Sequence, residues 1–244
     1  MPRNLLKTVR LALFASVYFV CACAPSTEVQ PCNPPVGSEP LLQEEGVIII
    51  GDYHGTNEPP EVFYGLACAY LDAHQDEPIT IALELPDSMN AIFKDQVTPE
   101  AAIAALRKDP FWARFGDGRH SASMLLMTER LLRLVGDSNG RVRLLAIERP
   151  NIDSAGAEFL SNSLSVHGAA RALVFLGNAH ARRKQMPAQR SAPMGQALQN
   201  LGHRVISLDI RPGGGEAWLC SGPTACGRKV LPDRNGGDER RIEF

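Results

Sequence analysis

This chain of 244 residues has little of several things, and each shortage removes a class of function. Neither sign of charge is in excess, with 25 Lys and Arg against 27 Asp and Glu, so composition offers no basic face for a nucleic-acid partner. Aromatic residues make up 6 %, too few for a row of stacking platforms beneath a single strand. No C-x-x-C spacing occurs, which removes the thioredoxin-type and zinc-ribbon readings. There is no H-E-x-x-H zinc helix and no phosphate-binding Walker loop, and no G-x-S-x-G elbow is read between a strand and a helix. The apolar run Leu11 to Val20 is too short to span a bilayer.

That run is still informative. Arg3, Lys7 and Arg10 precede it, the layout of a secretory signal. Val20-Cys21-Ala22-Cys23 then resembles a bacterial lipobox, with Cys23 as the lipidated residue. The rival reading is cleavage after Ala24, which the following Pro25 disfavours. The expected organisation is a signal peptide with lipobox over 1–23, a flexible tether rich in Pro, Ser and Glu over 24–45, an α/β domain over 46–232 and a polar tail over 233–244. Such a chain is exported and held to a membrane of the cell envelope by a lipid anchor, facing the periplasm or the exterior. Export permits disulfides. Cys220 and Cys226 bracket a turn-like sequence and are expected to staple a terminal hairpin, while the pairing of Cys32 and Cys68 stays open.

Continuous apolar runs at Val47–Ile50, Ile79–Leu83, Val142–Ile147 and Ala172–Leu176 fit strands buried on both faces, as in parallel sheets. A fifth strand is expected over Arg204–Ile210. Helical spacing lies between them, for instance Val62, Leu66, Ala69 and Ala73, and Met124, Met127, Leu131 and Leu134. Glu129 and Arg133 suit an i,i+4 pair on the flank of the second of these helices. The stretch from Met89 to Arg119 is expected to supply a lid. The fold class is thus α/β, a single domain with a mainly parallel sheet flanked by helices and a C-terminal antiparallel edge hairpin.

Two phrases nearly repeat. Gly51-Asp52-Tyr53-His54 follows the first strand, and Gly177-Asn178-Ala179-His180 follows the fourth. Each is a strand, a glycine and a histidine three residues later. Ile79–Leu83 leads into Glu84 before Pro86. Ligands of open α/β sheets bind outside the carboxyl ends of the strands, so His54, Glu84 and His180 should converge there. Histidine titrates near neutrality and serves as a base or a metal ligand. A carboxylate orients it, activates water or binds metal. Asp52 shares a strand face with His54. Glu58 could reach the site from a helix start, or simply favour the helix dipole. Arg119, in the loop Gly116-Asp117-Gly118-Arg119, could stabilise an oxyanion or pair with Asp117. Glu148 ends another strand and is a further candidate.

Together these phrases resemble the erythromycin esterase, ChaN and Tiki superfamily, with its G-E-x-H phrase, a glutamate at a later strand end and a second G-x-x-H. The resemblance runs from about Val47 to Ile210; Asp52 stands where the superfamily often has glutamate. It implies a hydrolase of peptide or ester bonds, with His54, Glu84, His180, Asp52, Glu58 and Arg119 as catalytic groups. In a metal-dependent member His54, Glu84 and His180 would hold zinc, manganese, iron or cobalt. The alternative is a non-enzymatic haem-binding lipoprotein in iron uptake, with Tyr53 as a ligand. A second alternative is a degenerate, protein-binding member. The expected partners are a small-molecule or peptide substrate and a membrane, not nucleic acid, and a homodimer is compatible with the chain.

Overall fold

A computed structural model describes residues 32–95, 98–114, 116–187, 189, 191–210, 214–220 and 225–231. The expected signal peptide and lipobox with Cys23, the first part of the expected tether and the expected polar tail lie outside these residues. The five apolar runs form one parallel sheet of β1 (Gly46–Asp52), β2 (Ile79–Pro86), β3 (Val142–Glu148), β4 (Arg171–Gly177) and β5 (Val205–Asp209). Their order is β3-β2-β4-β1-β5. β4 lies at the centre, and all seven of its residues are buried.

Side chains alternate between two cores, as strand periodicity requires. Ile48, Ile50, Ile81, Leu83, Leu173 and Phe175 pack on one face against α1 (Glu58–Ala73) and α4 (Ala122–Gly136). Val47, Ile49, Ala82, Leu145, Val174 and Leu176 pack on the other against α5 (Ala157–His167) and α7 (Met194–Asn200). Local signals start the helices. Pro59 and Pro60 fall in the first turn of α1. The Thr98 hydroxyl accepts from the Ala101 amide at 3.2 Å to cap α3 (Pro99–Lys108), and Ser121 accepts from Met124 at 3.3 Å to cap α4.

The stretch expected to supply a lid is anchored in the body of the domain: Met89 opens α2 (Met89–Asp95), and with Ile103, Leu106 and Phe111 it joins the first core. Two local expectations are corrected. Glu129 does not pair with Arg133. It is buried and takes a bidentate contact from Arg107 of α3, with Nε at 2.6 Å and NH2 at 2.7 Å, because α3 packs across that face. The tether does not run free as far as residue 45. A disulfide ties Cys32 to Cys68 of α1, Leu41 is 2 % exposed, and the Tyr70 hydroxyl donates to the Glu44 carbonyl at 2.6 Å. A bond and a buried leucine anchor residues that composition alone marks as linker.

The C-terminal strands β6 (Gly215–Cys220) and β7 (Cys226–Leu231) form an antiparallel hairpin that is a sheet of its own. Cys220 and Cys226 face each other in its register, and Cys226 is disulfide-bonded; the Cys220 side chain lies outside the described residues. Among the described residues no helix is long and apolar enough to cross a membrane.

Candidate active site

Parallel pairing sets Asp52 at the end of β1 beside Gly177 at the end of β4. The third segment comes from β2. Its register with β3 shifts between Leu83 and Pro86, which puts one extra residue on β2 next to Glu84. Such a bulge bends a strand and re-aims a side chain. Glu84 Oε2 thereby accepts the Gly177 amide at 2.6 Å. Three strand ends, far apart in sequence, meet at one place.

His54 stands between two carboxylates. Its Nδ1 is 2.9 Å from Asp52 Oδ1, and its Nε2 is 3.5 Å from Glu84 Oε2. The nearer contact is short but poorly aligned, so both atoms are buried without a well-directed hydrogen bond. Burial would lower the His54 pKa, but the closeness and charge of the Asp52 and Glu84 carboxylates outweigh it and push it up to about 10. Burial raises the Asp52 carboxyl, against the pull of His54. Burial also works against Glu84, yet His54, Arg119 and the Gly177 amide hold its carboxyl below the usual range. With Glu84 ionised beside it, His54 is an imidazolium at neutral pH.

The loop after the short turn Pro110–Ala113 supplies the balancing cation. Arg119 NH1 reaches Glu84 Oε1 at 3.2 Å and Glu148 Oε1 at 2.8 Å, while NH2 holds Asp117 Oδ2 at 2.8 Å. The expected loop pairing with Asp117 and the expected reach into the site are both present in one guanidinium. Three carboxylates share it, so its charge serves to hold Glu84 in place. Backbone packing fixes this loop. Gly118 has φ +90°, and a Cβ there would lie 2.3 Å from the Gly55 nitrogen. Gly55 has φ +93°, and its Cβ would meet the Trp218 carbonyl at 2.1 Å. The Trp218 amide donates to the Gly55 carbonyl at 3.1 Å, and its indole donates to the Gly116 carbonyl at 2.8 Å. The hairpin therefore clamps the two loops that carry His54 and Arg119.

His180 lies on α6 (Asn178–Ala181), directly after β4. Its Nδ1 is 2.7 Å from Asp153 Oδ1, and that hydrogen bond raises its pKa from the ordinary 6.5 against burial. The charges of Glu84 and His54 also act on it. Glu58 is exposed in the first turn of α1, and no described contact ties it to the cluster. Tyr53 is 37 % exposed at the end of β1. The sequence reading missed Asp153, whose only signal is a carboxylate shortly after the end of β3. It also missed that Gly136-Asp137-Ser138-Asn139-Gly140 matches G-x-S-x-G. That phrase joins α4 to β3, and the Ser138 hydroxyl donates to the Val135 carbonyl at 2.6 Å. It is a helix-to-strand turn at the amino end of β3, not a nucleophile elbow.

In a metal-dependent member the expected holders of a divalent cation are His54, Glu84 and His180. Among the described residues no group of three His, Cys, Asp or Glu is placed to hold one. The Glu84 oxygens accept from the Gly177 amide and from Arg119, so a cation at Glu84 would share that carboxylate with a guanidinium.

The fold and cluster define an α/β domain with a charged, histidine-bearing site at the carboxyl edge of its sheet. No family model and no curated protein matches the chain. Two solved structures are similar to the chain. The type III effector HopBA1 is 16 % identical, with 75 % of this chain and 85 % of that chain covered and a TM-score of 0.45. A Bacillus cereus protein is 11 % identical, with 81 % and 76 % covered and a TM-score of 0.49. At these values neither likeness bears on what the chain does.

Proposed function

We propose that this chain is a hydrolase of ester or peptide bonds, of the kind the motif resemblance implies. One observation carries the reading: two histidines, each with a ring nitrogen on a carboxylate, end the hydrogen-bonded neighbours β1 and β4. The two differ in their partners, two carboxylates for His54 and one for His180. His54, between two carboxylates, carries a proton at neutral pH and acts as the acid. His180, with a single carboxylate, is the base that takes a proton from water. The water oxygen attacks the carbonyl carbon, and His54 delivers its proton to the leaving group. Asp52 and Glu84 hold His54, and Arg119 holds Glu84.

The test is turnover by the purified full-length chain on nitrophenyl esters and fluorogenic peptides, with and without chelator. His54→Ala and His180→Ala should each lose about 100-fold or more, the usual worth of a positioned acid or base. Unchanged turnover in both variants ends the assignment. Haem binding is the second reading, favoured only by the exposure of Tyr53, next in sequence to Asp52. A saturable Soret shift lost in Tyr53→Phe, in place of turnover, would support it.

A further inference from the structure

Asp153 lies outside every motif in the sequence, yet the backbone bends unusually to bring it to His180. After β3 ends, Asn151 takes a left-handed conformation with φ 60° and ψ 56°, which Asn tolerates better than most side chains. The chain then makes a single π-helical turn, Ile152–Gly156. Such turns are rare and gather at functional sites. From this turn Asp153 Oδ1 meets two partners, His180 Nδ1 at 2.7 Å and the Met194 amide at 3.0 Å. The amide can only donate, so it pins Oδ1 as an acceptor at the start of α7. With Oδ1 held as an acceptor by that amide, the imidazole nitrogen facing it is the one that carries the hydrogen. In the neutral ring Nε2 then keeps its lone pair, and no described residue hydrogen-bonds it. The His180 side chain is 31 % exposed, so water can reach it, while Asp153 is 17 % exposed.

We propose that Asp153 is a positioning residue that fixes His180 as its Nδ1–H tautomer and thereby presents Nε2 as the proton acceptor of the site. The geometry stands alone; its purpose rests on the hydrolase reading. A purely structural role is the rival, because Asp153 also satisfies the first amide of α7. The two roles separate by spectroscopy. Ring-nitrogen NMR of the full chain, in chelated buffer, should show His180 as Nδ1–H. In Asp153→Ala it should relax to a tautomer mixture. Asp153→Asn should retain Nδ1–H, since an amide oxygen still accepts, but lose the charge, so the acid limb of kcat/KM moves to lower pH. In Asp153→Ala kcat should fall about tenfold or more with KM little changed, the range typical when a partner orienting a functional histidine is removed.

An Nε2–H tautomer in the unmodified protein overturns the proposal, and needs no variant to fold. An unchanged tautomer, or unchanged kcat, in Asp153→Ala overturns it too. If His54→Ala and His180→Ala keep full turnover, the hydrolase reading fails instead, and the NMR spectrum still decides the Asp153–His180 pair.

Discussion

Gly177 shows how tightly the cluster is built. Its backbone, φ −60° and ψ 142°, suits any residue, so conformation does not demand glycine. Space does. A Cβ there would lie 2.8 Å from His54 Nε2 and 3.4 Å from Glu84 Oε2. Both side chains are already fixed at their far ends and cannot retreat cheaply. Gly177→Ala should cost about 1–3 kcal/mol, read from denaturant midpoints, as other overpacked sites do. It should also lower turnover by turning His54 away from Glu84. The two histidines set the pH profile. Activity should fall as acid protonates His180, whose pKa is raised from 6.5, and again above a pH of about 10, where His54 gives up its proton. A bell-shaped profile with its alkaline limb near that value would match; a limb near neutrality would remove His54 as the acid. His54, Glu84 and His180 are legible in the sequence because each follows an apolar strand. Asp153 is not, since it arrives on an irregular turn that no periodicity announces.

Elements decide how those residues are held. The segment from Cys32 is bound to α1 over a separation of 36 residues, and Gly65 leaves room for it: a Cβ there would strike the Asn33 carbonyl at 2.2 Å. Replacing both Cys32 and Cys68 by Ser should lower stability by about 2–4 kcal/mol and open residues 32–45 to limited proteolysis. Unchanged melting and cleavage would show that Leu41 and the Tyr70 contact suffice. The hairpin matters in another way. It adds no strand to the main sheet, yet Trp218 binds both loops of the site. Strand and helix positions followed from apolar runs and periodicity. The partner of Glu129 did not, because i,i+4 spacing sees only its own helix, whereas α3 arrives from elsewhere.

At the scale of the molecule, buried charge couples folding to pH. The His54 pKa is raised from 6.5 to about 10 by folding, so its contribution is fully present below about 6.5 and is lost as pH rises through 10. Thermal stability of the unmodified chain should therefore fall more between pH 7 and 10 than that of His54→Gln. Parallel slopes in the two proteins would mean that the imidazolium adds nothing to folding. Glu84 works at the other end: its carboxyl is lowered, so the stability it brings is lost as pH falls below its ordinary value.

Residue order alone determined the α/β architecture and the strand-end places of His54, Glu84 and His180. Strands buried on both faces leave continuous apolar runs in the chain, and the parallel sheet brings their carboxyl ends to one edge. Only the tertiary structure decided which carboxylate faces which nitrogen. It set Asp52 and Glu84 on either side of His54, gave Arg119 three carboxylates, and brought Asp153 to His180. Those contacts depend on register, a bulge and a π-helical turn, which arise when separate elements pack and leave no local pattern along the chain.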